Sequence, residues 1–374
     1  MTDTTTAVPP RDGADGNEHD DRAAFEALAA LPARHRLMIL TMGRVVAPVV
    51  WALTELGVPD RLADGPLPVG ELARGTGTHE PTLLRLLRAA ASFGVFAEEP
   101  EGRFRLTAMS QFLRADAEQS VRDLVLMNGT ELFWRPYEAI LHSARTGLPA
   151  FDHVFGTSLF AHLDERPDLA GVFHRAMTAA SRRGSAAVAA VIDLPPGSRV
   201  ADVGGGQGYL LAEVLRRHPG CRGLLFDRPA AIEDAGPFLA SRGVADRTER
   251  VAGDFFAEIP AGCDAYLLKH VLHDWDDDAA VRILRNVRRA AGDGGRVHVI
   301  EMVTGELNTL DVVRLLDIDM LVSAGGRERS VGEYRRLAAA AGLRLTGRRA
   351  AAGTTVLEFR PDVGVGAGAD VSAG

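Results

Sequence analysis

From residue 198 onward, short apolar runs alternate with amphipathic stretches. Runs rich in valine, leucine or isoleucine stand at 198–203, 221–227, 248–252, 264–269 and 295–301, with two more at 343–348 and 354–359. Between them lie segments of helical period, most clearly Asp277 to Ala291 and Val331 to Ala341. Strands alternating with helices predict an α/β domain whose parallel sheet is covered on both faces. The last two runs are joined by a short Ala-Ala-Gly link, which predicts an antiparallel hairpin at the sheet edge. A ligand on such a sheet sits beyond the carboxyl ends of the central strands.

Upstream, as far as about Gly184, the pattern is helical. The stretch Leu37 to Leu56 is apolar on nearly all sides and predicts a buried helix whose expected cover is a second subunit. Arg44, Pro48 and Glu55 interrupt it, so no membrane span is expected. Residues 66–114 read as a winged helix. A short helix begins at Val69 and a second runs from Glu80 to Phe93, followed by a β-ribbon through Val95-Phe96 and Phe104-Arg105-Leu106 that turns at Glu101-Gly102. That pattern raises a DNA-binding regulator as a rival. Yet Arg61 to Arg114 holds seven arginines against six acids, and the candidate recognition helix offers only Arg85 and Arg88 against Glu80. Nucleic-acid binding calls for a clearly basic face, so a packing or dimerisation wing is the expectation.

At 374 residues the chain has room for two ordinary domains. The boundaries expected are a polar tail over 1–22, a helical and winged-helix dimerisation and substrate domain over 23–184, a ligand-binding α/β domain over 185–360, and a Gly/Ala/Val tail over 361–374. Both tails are expected to be disordered. The net charge is −8, and half of that excess falls in the first 22 residues, which hold six acids and two arginines. The two cysteines, Cys221 and Cys263, have no metal-ligand or disulfide spacing, and the N-terminus lacks a signal-peptide core. A cytoplasmic protein with no metal is expected.

The chemistry concentrates at the strand ends. Arg199-Val-Ala-Asp-Val-Gly-Gly-Gly-Gln-Gly208 is a strand, a glycine loop and a helix start, where backbone N–H groups and the positive end of a helix meet a ligand. A dinucleotide loop would need glycine at 209 or 211, and the chain has Tyr209 and Leu211. The loop therefore fits a nucleoside without phosphates, with S-adenosylmethionine as the candidate. Asp227 ends the second strand, nineteen residues beyond Gly208, where an acid grips ribose hydroxyls. After the third strand, Gly253-Asp254-Phe255 offers an acceptor for an adenine amino group and a ring to stack on it. The fourth strand, Asp264 to Lys269, exits into His270-Val-Leu-His273-Asp-Trp. A histidine at this tip can reach a group held before the methyl donor. Glu301 at the fifth strand tip, and Glu328 in Gly325-Gly-Arg-Glu-Arg-Ser330, are the carboxylates expected to orient it.

On these motifs the chain resembles the small-molecule O-methyltransferases that include plant caffeic acid and flavonoid enzymes. It is closer still to their bacterial relatives that tailor polyketide, phenazine and mitomycin-type antibiotics. The matching residues are Asp202-Val-Gly-Gly-Gly-Gln-Gly, Phe226-Asp227, Gly253-Asp254-Phe255, Lys269-His-Val-Leu-His273-Asp-Trp275, Glu301 and Gly325-Gly-Arg-Glu328-Arg-Ser. Leu126-Met-Asn128 and Phe173 to Ser181 resemble the family's substrate and methionine-binding helices. The resemblance implies a Rossmann-like S-adenosylmethionine-binding sheet, a winged-helix dimerisation domain and a homodimer. It further implies His273 as general base held by Glu301 and Glu328, Asp227 on the ribose, and Asp254 and Phe255 on the adenine. Gly204 and Gly206 would lie along the methionine half, with Ser181 near its carboxylate and Lys269 beside the cofactor. An apolar pocket for a small aromatic substrate is expected from Asn128, Phe133, Trp134, Phe155, Met177 and Met320. Where the plant enzymes carry a His-Asn-Pro type substrate contact, this chain has Val322-Ser-Ala, which argues against a phenylpropanoid acceptor. Some relatives use the same fold for hydroxylation or decarboxylation, but those have lost the motif histidine that is intact here.

Overall fold

The computed structural model describes residues 30–362, apart from Arg183 and Asp234. These divide into two compact units, one of residues up to Trp134 with Pro167–Ala179, the other of Arg135–Arg166 with the chain from Ala180 onward. Segment 135–166, assigned by the sequence reading to the N-terminal domain, thus packs with the α/β unit.

In the first unit a small sheet pairs β1 (Leu67–Pro68), β2 (Phe96–Glu99) and β3 (Arg103–Leu106) in the order β1-β3-β2. Its turn places both Glu101 and Gly102 at positive φ. Helices Val69–Thr76 and Glu80–Ala91 pack on this wing around Leu53, Leu72, Leu83, Leu87, Phe96 and Phe104. On the candidate recognition helix, Arg88 forks onto the wing residue Glu98 at 2.8 Å, so the helix and the wing neutralise each other.

The apolar stretch 37–56 is not one helix. It forms Ala33–Thr41 and Gly43–Glu55, bent by 51° at a break where Gly43, a poor helix former, follows Met42. Only the second piece is apolar on one side with a buried stripe, through Val49 and Leu53, while Leu37 and Leu40 are 64% and 74% exposed. Among the described residues no single helix is long and apolar enough to cross a membrane, and this bent pair passes that test only when its two pieces are taken together.

The second unit is built on a seven-stranded sheet. Its strands are β4 (Arg199–Val203), β5 (Arg222–Asp227), β6 (Thr248–Ala252), β7 (Ala265–Lys269), β8 (Arg296–Glu301), β9 (Leu343–Ala351) and β10 (Thr354–Pro361), in the order β6-β5-β4-β7-β8-β10-β9. The first five are parallel, and β10 runs antiparallel between β8 and β9. β10 carries regular structure to Pro361, one residue beyond the domain end read from sequence; residues 1–22 and 363–374 of the two tails lie outside the described residues. The interior strands are buried on both faces, as in Val200 to Val203 and Ala265 to Leu268, because helices cover both sides. Strand order reverses on either side of β4, and in open α/β sheets a ligand binds at such a switch point, beyond the carboxyl ends of β4 and β7.

Candidate active site

The loop after β4 depends on its glycines. Gly204, Gly206 and Gly208 take φ of 70°, 56° and 82°, the left-handed region that side chains disfavour. A Cβ on Gly204 would also stand 2.8 Å from Val271 Cγ2. The next helix, Tyr209–Arg217, starts directly on Gly208. Beneath the loop, Asp202 is buried and accepts the Leu211 N–H. Burial pushes its carboxyl up to about 7, against the pull of Lys269 and that N–H. At the tip of β5, Asp227 Oδ2 accepts the Gly206 N–H at 2.8 Å, tying the second strand to the glycine loop. Asp254 is exposed and its Oδ1 caps the Phe256 N–H, while the Phe255 ring approaches Gly204 from the far side. Lys269 Nζ donates to the Ser181 carbonyl at 3.4 Å; burial pulls its pKa down, against the charges of Asp202 and Glu301.

Beyond β7 the chain makes a tight corner. His270 has a φ of 53°, a costly conformation for a residue with a side chain, and Val271 returns to the right-handed region. That pair turns two consecutive N–H groups to one side, and Glu301 fills the resulting nest. Its Oε1 accepts Val271 N–H at 3.2 Å and Leu272 N–H at 2.9 Å. Glu301 Oε2 faces His270 Nδ1 at 3.5 Å. No hydrogen bond joins Glu301 to His273; a Glu301 carboxylate oxygen lies within 4.8 Å of a His273 ring nitrogen, while its direct bonds go to the corner. Strand register explains this. Lys269 pairs with Ile300, and the His270 N–H bonds the Ile300 carbonyl, so Glu301 lands beside residue 270.

His273 lies in the short helical turn Leu272–Asp274. Its Nδ1 meets Glu328 Oε1 at 2.8 Å, and its Nε2 is 3.4 Å from Asp274 Oδ1. Burial alone would pull this imidazole down, but Asp274, Glu301 and Glu328 outweigh it and raise the pKa to about 10. His270 lacks that surround; burial pulls it below its usual value despite Glu301. Glu328 itself is positioned from helix Val312–Ser323, where Asp317 Oδ1 accepts its N–H at 2.9 Å. The loop then ends in a capping box, Ser330 with Glu333, that starts the helix Val331–Ala340. One group was missed in the sequence: Arg329, fully buried, bonds the carbonyls of Leu272 and Trp275 on the His273 turn.

The expected substrate set is divided. Phe155 and Met320 share the α/β unit with His273, on the packed helices Ala150–Phe155 and Val312–Ser323. On the same helix pair, Arg135 stacks over Phe155 and the Tyr137 hydroxyl donates to Asp319. Asn128, Phe133, Trp134 and Met177 belong to the other unit, where Asn128 and Met177 are exposed.

The donor set fits a cationic nucleoside. Asp202, Asp227, Asp274, Glu301 and Glu328 outnumber Lys269 and the two histidines about these strand ends, and the glycine loop offers backbone there, not side chains.

Residues 134–344 match the O-methyltransferase domain family, and residues 38–116 the O-methyltransferase dimerisation domain. The phenazine O-methyltransferase PhzM of Lysobacter antibioticus is 39% identical over 89% of this chain and 97% of its own. The mitomycin biosynthesis 6-O-methyltransferase of Streptomyces lavendulae is 40% identical over 82% of this chain and 88% of its own. The structure of NcsB1, an O-methyltransferase from neocarzinostatin biosynthesis, in complex with S-adenosylmethionine and 2-hydroxy-5-methyl naphthoic acid, superposes with a TM-score of 0.72. It is 34% identical and covers 84% of this chain and 96% of that one. With both family matches in place, the chain belongs to the O-methyltransferase family and is an S-adenosylmethionine-dependent enzyme.

Proposed function

We propose that the enzyme methylates a phenolic hydroxyl of an aromatic secondary metabolite, with His273 as the general base. The observation that carries this is the His273–Glu328 pair at the C-terminal edge of the sheet, beside the glycine loop. Relatives named for phenazine and mitomycin tailoring, and a neighbour holding a hydroxynaphthoic acid, supply the substrate class.

Asp227 would hold the ribose hydroxyls, Asp254 and Phe255 the adenine, and Gly204, Gly206, Ser181 and Lys269 the methionine half. The bound cofactor supplies an electrophilic methyl on a sulfonium. Glu328 takes the Nδ1 proton of His273 in a hydrogen bond, which fixes the tautomer and leaves Nε2 to receive the acceptor's proton. His273 Nε2 would receive the hydroxyl proton as the acceptor oxygen takes the methyl group. A phenol ionises near pH 10, so the neutral His273 ring, with its pKa raised to about 10, is matched to accept that proton. Phe155 and Met320 would give the acceptor an apolar wall; Asn128, Phe133, Trp134 and Met177 complete the proposed substrate set. The chain is proposed to act as a cytoplasmic homodimer.

The test is His273→Ala. Turnover should fall by about 10²-fold or more, with little change in cofactor affinity, and the deficit should shrink at high pH where the phenol ionises unaided. Near-normal turnover at pH 7 would remove His273 from the chemistry.

A further inference from the structure

We propose that Arg329, which no step of this reaction uses, is a positioning residue that locks the turn carrying His273 to the loop carrying Glu328. Its side chain is wholly buried. Nη1 donates to the Leu272 carbonyl at 2.9 Å and to the Arg327 carbonyl at 3.2 Å, and Nη2 donates to the Trp275 carbonyl at 2.7 Å. Nε and Nη2 both reach Asp277 Oδ1, at 2.9 and 2.8 Å. The guanidinium thus binds the residues just before and just after His273-Asp274, while its own backbone follows Glu328 directly.

The rest of the junction leaves little slack. The Arg327 N–H donates to the His273 carbonyl at 2.7 Å, and a Cβ on Gly326 would lie 2.3 Å from that same oxygen. Behind Arg329, its backbone pairs with Val303, and the Thr304 N–H bonds its carbonyl, so the loop is anchored to the chain leaving β8. Two segments 55 residues apart in sequence meet at His273–Glu328. Cut loose, either could slide by an ångström, and a misplacement of that size costs about 10²-fold in rate.

Arginine is required by geometry. A planar fork with five donors can serve three carbonyls and a carboxylate at once, whereas an ammonium offers three donors from one point. Asp277 neutralises the charge, so Arg329 acts by placing groups. Arg329→Lys keeps the charge and loses the fork, leaving buried carbonyls without donors.

The inference rests on the reading of His273 as base, so its test reads His273 directly as well as turnover. In protein labelled with ¹⁵N-histidine, the Nδ1 proton bonded to Glu328 and the titration of the ring report the pair. In Arg329→Lys we expect that proton signal to be lost and His273 to titrate at lower pH. Turnover should fall by about 10²-fold with cofactor affinity held within about threefold. An unmoved His273 titration overturns the proposal, as does a loss of cofactor affinity in step with turnover, which would mark general damage. Should Arg329→Lys not fold, Asp277→Asn, which loosens the clamp from its exposed end, carries the test. A smaller shift in the same direction is expected, and none overturns the proposal. If His273→Ala keeps its turnover while Arg329→Lys still shifts the titration, the base reading fails and the positioning role stands.

Discussion

His273 answers to two opposing demands. Three carboxylates make it a strong base, yet by raising its pKa to about 10 they leave it mostly protonated at neutral pH. Only the neutral ring accepts a proton, so turnover should rise from pH 7 and level off towards pH 10. In Glu328→Gln, which removes one of the raising charges, the rising limb should move to lower pH. A pH–rate profile flat from 7 to 9 in the wild type would contradict this. A sulfonium cation bound near His273 would oppose the raised value, so the rising limb should come at lower pH with saturating than with limiting cofactor. Asp227 makes the separate case of a binding acid. It already holds the Gly206 N–H, so Asp227→Ala removes both a ribose partner and a tie on the loop. Hydrogen bonds to a charged group are worth about 1.5–3 kcal/mol each, so cofactor affinity should drop about tenfold or more by calorimetry, with the sheet intact.

At the scale of elements, the glycine loop and the corner after β7 do different work. The loop is shaped by what its residues lack. At Gly204, alanine meets both a left-handed φ and Val271 Cγ2 at 2.8 Å, whereas a Cβ on Gly206 has open space and only the φ to overcome. Gly204→Ala should therefore cost more thermal stability and more cofactor affinity than Gly206→Ala. The left-handed cost they share is about 1–2 kcal/mol. Equal losses in melting and calorimetry would mean that contact with Val271 does not shape the loop. The corner is shaped by what its residues accept: Glu301 fills the nest behind His270, and Arg329 fastens the turn that follows. The wing is a third kind of element, familiar from DNA-binding folds, but its Glu98 holds Arg88 of the candidate recognition helix.

At the scale of the whole chain, the exposed residues Met38, Leu40 and Met42, within a segment that matches a dimerisation domain, lead us to expect a homodimer. Light scattering at micromolar concentration should give about 80 kDa, twice the 39.9 kDa of one chain, and a monomer mass would contradict it. The alternation of strands and helices, the glycine loop, and the acids at the ends of β5 and β8 were all legible in the sequence. Each is a local matter: period, turn chemistry and strand termini are written within a few residues. Single-chain patterning was less reliable where one residue interrupts a periodic run, as Gly43 does by bending the stretch 37–56. It was silent on which carboxylate meets which histidine. The parallel register of β7 and β8 sets Glu301 beside His270, and a loop 55 residues further on brings Glu328 to His273. Arg329 was unreadable for the same reason, since its meaning lies in carbonyls and a carboxylate 52 to 57 residues away along the chain. The sequence by itself determined which groups the site has to work with. Their pairing was decided only when packed strands and loops removed the slack between distant segments, because a hydrogen bond is made by position and not by composition.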